Sequence, residues 1–160
     1  MKKSKSRPGR NADPPLPWRR ILVPIDFSKP SLRALAVAAP LARDCGAKVL
    51  LLSVIESPVI VAGFEGALAV TPDATLTKDA SHRLRTLARG ALLDLLPVTC
   101  IVKRGRPFDV ITRVARQKRI DLIVLTTHGR TGLERLMLGS TAERVVRHAL
   151  CPVFVVRNRA

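Results

Sequence analysis

Short apolar runs alternate along the chain with segments in which apolar residues recur every three or four positions, and that alternation sets the first expectation for its fold. Ile21-Leu22-Val23-Pro24-Ile25 reads as a strand, with Pro24 tolerated only near its end because it has no N–H for a ladder. Ser28 then offers a helix N-cap and Pro30 suits the first turn. Leu32, Leu35, Ala36 and Ala39 follow at helical spacing until Gly46, and Pro40 is expected to bend the helix. Val49 to Ile55 is apolar on both faces, as a central parallel strand must be when helices cover both sides. The Gly- and Pro-containing stretch from Ser57 to Pro72 is long for a connection; it serves either as a cover over a site or, more commonly, as packing filler.

Leu76, Ala80, Leu84, Leu87, Ala88 and Ala91 then mark one stripe of a second helix, with Gly90 a mild defect. Val98 to Val102 reads as a third strand. Gly105 and Pro107 open a third helix whose Ile111, Val114 and Ala115 face inward, and Asp121 to Leu125 is the fourth strand. A loop from Thr126 to Gly139 leads to a helix starting at Ser140, and Pro152 to Val156 is the fifth strand. Strands alternating with helices in this way predict an α/β fold with a parallel sheet, and no internal repeat is visible.

At 160 residues, 47% of them hydrophobic and 25% charged, the chain suffices for one domain with a single core. Residues 1–18 hold almost no large apolar side chain and read as a basic, disordered tail ahead of a domain spanning 19–160. The formal net charge is +16, of which the first 20 residues carry +6. Such a balance suggests a polyanionic partner, and Lys103, Arg104, Arg106, Arg113, Arg116, Lys118 and Arg119 stand against only Asp109. That run is either a solvated face, the usual case, or an electrostatic footprint for nucleic acid or acidic lipid. Aromatics are only 3% and no nucleic-acid-binding motif accompanies the charge, so nucleic acid is the disfavoured partner. Three scattered cysteines, 45, 100 and 151, suit a reducing cytoplasm, and neither a secretory core nor a membrane span is expected. His148 and Cys151 lie three apart, but two ligands without further partners read as structural rather than metal-binding.

The segment from Thr126 to Glu143 carries the most chemistry. Gly129 and Gly132 allow a tight turn and close backbone approach to a ligand, while Ser140-x-x-Glu143 has the spacing of a capping box. A helix start there presents unpaired N–H groups and a positive dipole end, Ser140 and Thr141 add hydroxyls, and Arg130 adds a charge, so the place suits a phosphate. His128 either lends an N–H to that ligand or braces the loop; its place at the crevice favours the first. Asp26, just past the first strand, either meets a ribose hydroxyl across the sheet's central crevice or caps the helix that follows it.

With those residues in view, the chain resembles the universal stress proteins over roughly residues 19–157. Val23-Pro24-Ile25-Asp26-Phe27-Ser28, Val49 to Val54, Asp121 to Leu125 and Pro152 to Val156 look like the family's strand signatures. Gly129, nine residues, then Gly139-Ser140 match the later parts of its nucleotide motif, and Thr126 stands where a first glycine is expected. A side chain at 126 either crowds the ligand or donates to it.

The resemblance implies a doubly wound, Rossmann-like five-stranded parallel sheet of order 3-2-1-4-5. It also implies ATP, with or without Mg²⁺, held by Pro24, Asp26 and the backbone of Val54 at adenine and ribose. Thr126, Thr127, His128, Gly129, Arg130, Thr131 and Gly132, with Gly139, Ser140, Thr141 and Ala142, would wrap the phosphates. A homodimer through Val153, Phe154, Val155 and Val156 is implied as well, and covering an apolar edge strand makes independent sense. The expected role is a cytoplasmic, nucleotide-dependent stress sensor with no catalytic residues and at most slow ATP hydrolysis, since no Walker lysine or activated nucleophile is recognisable. A nucleotidyl-transfer enzyme on a related fold, and binding of nucleic acid or an anionic surface through the basic tail, are the alternatives.

Overall fold

The computed structural model describes residues 18–56, 73–90, 96–127 and 139–157. The elements run β1 (Arg20–Pro24), α1 (Lys29–Cys45), β2 (Lys48–Ile55), α2 (Asp73–Ala88), β3 (Val98–Arg104), α3 (Pro107–Gln117), β4 (Leu122–Thr126), α4 (Ser140–His148) and β5 (Val153–Val156). All five strands are parallel, in the order β3-β2-β1-β4-β5 that the resemblance implies. The expected segment 57–72, Ala91 and the residues ahead of Trp18 fall outside the described residues. No helix among the described residues is long and apolar enough to cross a membrane.

Strand alternation divides the core into two layers. Ile21, Val23, Val49, Leu51, Leu122 and Val124 point to one face, against α1 and Leu84 of α2. Leu22, Leu52, Ile123 and Leu125 point to the other, against Val110, Ile111, Val114 and Ala115 of α3 and Ala142 and Val145 of α4. Both faces are therefore buried, which is why the central strands read as unbroken apolar runs. The strand starts are laced together by Asp121, whose Oδ2 accepts from the Arg19 and Arg20 amides at 3.0 and 2.8 Å while its own amide donates to the Arg20 carbonyl.

Helix α1 starts and stops where its sequence says. The Ser28 hydroxyl oxygen accepts from the Ser31 amide, proline occupies the first turn, and Gly46 closes the helix at φ 64°. Pro40 lies inside α1, which continues through it as one element. The buried face differs from the expected one: Ser31, Ala34, Leu35, Ala38, Ala39 and Ala42 face inward, whereas Leu32 is 39% exposed and Ala36 is also exposed. A stripe of alanines has little bulk, which permits a helix to approach its sheet closely. On α2, Ala80 and Leu84 are buried as expected, Leu76 is 40% exposed, and Gly90 follows the helix end rather than interrupting it.

Truncating Leu22, fully buried at the sheet centre, is expected to cost about 2–5 kcal/mol, whereas Leu32→Ala on the outer side of α1 should cost roughly 0.5 kcal/mol or less. Urea unfolding of both variants measures the difference.

Candidate functional site

The crossovers leave β1 and β4 toward opposite faces. These two strands are hydrogen-bonded neighbours with Ile21 opposite Leu122 and Leu22 opposite Ile123, and their C-terminal ends flank the switch point of the sheet. Pro24 ends β1 and pairs with Leu52, so Asp26, two residues on, is level with Val54 near the end of β2. Ile25 donates the last bond toward β2, 2.8 Å to the Leu52 carbonyl. Thr126 ends β4 opposite Val156, and the Thr127 amide donates to the Val156 carbonyl at 3.3 Å.

The chain returns to this end of the sheet at Gly139, whose amide donates to the Thr127 carbonyl at 2.7 Å. That bond ties the start of α4 to the exit of β4, and so brings Thr126, Thr127, Gly139, Ser140, Thr141 and Ala142 together. The expected capping box is not formed. Gly139 is the N-cap, with φ −57° and ψ 147°, no side chain caps the helix, and Ser140 is its first helical residue. The reason is that the Gly139 carbonyl, fixed beside Thr127, is the acceptor for the Glu143 amide at 2.9 Å. The amides of Ser140, Thr141 and Ala142 consequently have no main-chain acceptor among the described residues, as the first turn of any helix requires. His128, Gly129, Arg130, Thr131 and Gly132 lie outside the described residues.

Asp26 performs the capping role expected of it. Its Oδ1 accepts from the Ser28 amide at 2.9 Å and from the Ser28 hydroxyl at 2.5 Å, orienting Ser28 to cap α1. The turn needs a left-handed residue, and Phe27 takes it at φ 65°, a conformation that costs a non-glycine residue ~1–2 kcal/mol. The Phe27 ring packs on the α1-side core, and the Arg83 guanidinium of α2 lies 3.9 Å over its centroid. The sequence offered no pointer to Arg83, because the contact joins residues that are close only through the fold.

The cysteines and His148 add no reactive group to this crevice. Burial is the first cause that raises the thiol pKa values of Cys45, Cys100 and Cys151; Asp44 and Asp121 add to it at Cys45 and Cys151, and Arg85 opposes it at Cys100. None of the three is thereby an activated nucleophile at neutral pH. His148 meets Phe108 edge to face at 5.3 Å, with Nδ1 2.9 Å from the Arg144 carbonyl, a packing role. No group of three His, Cys, Asp or Glu side chains is gathered for a metal among the described residues.

The profile of the universal stress protein family matches residues 17–157, and the chain belongs to that family. Universal stress protein MJ0531 of Methanocaldococcus jannaschii is 34% identical over 142 residues, covering 88% of this chain and 83% of that protein. The solved structure of protein MJ0577, an M. jannaschii universal stress protein, superposes with a TM-score of 0.77 at 30% identity, covering 91% of this chain and 99% of the other. A universal stress protein of Arabidopsis thaliana, solved with AMP bound, shares the fold at a TM-score of 0.59 and 19% identity, covering 89% and 93% of the two chains.

The stack of Arg83 on Phe27 is expected to contribute about 0.5–1 kcal/mol to stability. Arg83→Ala should lose that amount in urea denaturation, and the loss should vanish in a Phe27→Leu background.

Proposed function

We propose that this protein binds ATP or another adenine nucleotide at the C-terminal ends of β1 and β4 and acts as a dimeric sensor in a cytoplasmic stress response. The observation that carries the reading is the start of α4. With the Gly139 amide spent on Thr127, the next three amides open the helix beside the exit of β4. Three N–H groups on the positive end of a helix dipole are suited to phosphate oxygens. In this reading Pro24, Asp26 and the Val54 backbone hold adenine and ribose, while Thr126 to Gly132 and Gly139 to Ala142 wrap the phosphates. AMP in the Arabidopsis protein supports adenine as the base. Mg²⁺ would be held mainly by the phosphates.

Residues 19–160 act in this proposal as the nucleotide-binding domain, with 1–18 a tail outside it. The homodimer forms through Val153 to Val156. Support for it comes from the position of β5 at the sheet edge with Phe154 45% exposed, an apolar edge that a second copy would cover.

Ser140→Pro tests the cradle. Proline fits the first helical position, and the extended ψ of Gly139 suits the residue before it, but proline has no N–H to donate. Calorimetric titration should show ATP binding weakened about tenfold or more in Ser140→Pro and much less in Ser140→Ala, with unchanged thermal transitions. Equal ATP affinity in both variants and the parent protein would overturn the cradle, and no heat from the parent would overturn nucleotide binding itself.

A further inference from the structure

The end of the sheet opposite the nucleotide crevice has a composition that nucleotide binding does not use. All five strands start there, and the residues that open or lead into three of them, β1, β2 and β4, are basic. Arg19 and Arg20 lead into β1 and Lys48 opens β2, linked by the Lys48 amide donating to the Arg19 carbonyl at 2.8 Å. Lys118 and Arg119 end the α3 turn just before β4. Arg43 and Arg116 occupy the last turns of α1 and α3. All seven are exposed.

Among the described residues, the acids close in sequence to these are Asp44 and Asp121. Asp121 is already committed to the Arg19 and Arg20 amides and lies 4.0 Å from the Arg20 guanidinium. The helix dipole accounts for Arg43 and Arg116, since cations are favoured at helix C-termini. The same dipole favours Lys118, the α3 C-cap, and Arg119 beside it, and does not account for Arg19 or Lys48. Arg119 sits at φ 50°, a left-handed position where glycine would be the cheaper residue.

One side chain gives the surface its chemical character. Leu150, on the approach to β5, is 85% exposed, and with Cys151, Arg116 and Arg119 it borders a hollow of about 190 Å³. A protruding leucine among cations gains nothing from a nucleic-acid backbone. Against a bilayer it reaches the acyl boundary while the arginine and lysine heads stay among phosphates. The helix ends at this pole are C-terminal, so they offer carbonyls rather than amides. Anion binding here therefore rests on diffuse side-chain charge, which suits a fluid array of headgroups better than one fixed phosphate.

We propose that the pole formed by Arg19, Arg20, Lys48, Lys118, Arg119 and Leu150 is a docking surface for bilayers bearing acidic phospholipids. Attraction of this kind falls off within a Debye length and weakens with salt. The nucleotide crevice, at the far ends of the same strands, faces away from the bilayer in this arrangement.

Trp18 is the chain's single tryptophan and lies at this pole, so its emission reports docking here rather than elsewhere. The full chain is mixed with phosphatidylcholine vesicles and with vesicles of phosphatidylcholine and phosphatidylglycerol, and followed by co-sedimentation and Trp18 fluorescence. Binding is expected to the anionic vesicles alone, with a blue shift that salt reverses. Lys118→Glu with Arg119→Glu should lower the partition at least about tenfold, and Leu150→Ser should lower it severalfold, with circular dichroism unchanged. Lys48→Glu, on a different element, should act in the same direction if the double variant folds poorly. Absence of binding to anionic vesicles at low salt overturns the proposal, as does binding that survives these reversals. So does duplex DNA that displaces the protein from vesicles at matched salt. Leu150→Ser that dissociates a dimer but leaves vesicle binding intact assigns that side chain to the protein's own interface, and overturns its part in docking.

Discussion

A parallel sheet wound on both faces reverses its winding once, and the geometry of the candidate site in this protein follows from where that reversal falls. Right-handed crossovers carry the chain from β1 outward to β3 with α1 and α2 on one face, then back past β1 to β4 and β5 with α3 and α4 on the other. The two apolar layers that meet through Ile21, Leu22, Leu122 and Ile123 hold β1 against β4. The connections diverge there, and α1 and α4 leave the two strand ends toward opposite faces.

What lines that space is set by local chemistry. On the β1 side, an aspartate, a left-handed phenylalanine and a capping serine make a turn held by its own contacts: Asp26 is bonded to Ser28, Ser28 to Ser31, and Arg83 lies over Phe27. On the β4 side, one main-chain bond from Gly139 to Thr127 sets the position of the α4 terminus. The two sides differ in character: a carboxylate on one, the first amides of a helix on the other. A nucleoside phosphate has the same polarity, hydroxyls at one end and anionic oxygens at the other. The starts of β1, β2 and β4, at the opposite end, carry exposed cations, so the two ends of the sheet differ in chemical character.

Much of this was legible in the sequence because its strongest signals are local. Apolar runs bounded by Gly, Pro and Asp marked the strands, and Ser28 and Gly46 marked both ends of α1. The side of α1 that packs was not legible, since that helix is apolar around most of its circumference and Ala36 fits a stripe as well as Ala38 does. Leu76 fits the α2 stripe yet stays exposed near the helix start, a limit that spacing alone does not reveal. At α4 the Ser-x-x-Glu spacing pointed to Ser140 as the cap. The Thr127 contact moved the cap to Gly139, a tertiary constraint overriding a local pattern. Arg83 over Phe27 had no signal at all, because nothing along the chain links α2 to the residue after Asp26.

The most direct measurement is an ATP titration of the isotopically labelled protein, followed at every backbone amide by NMR. The account predicts that Ser140, Thr141 and Ala142 shift most, that Asp26 to Ser28 shift with them, and that both groups saturate at one nucleotide per chain. Shifts gathered instead at Lys48, Lys118 and Arg119, or none at the α4 terminus at saturation, would contradict it.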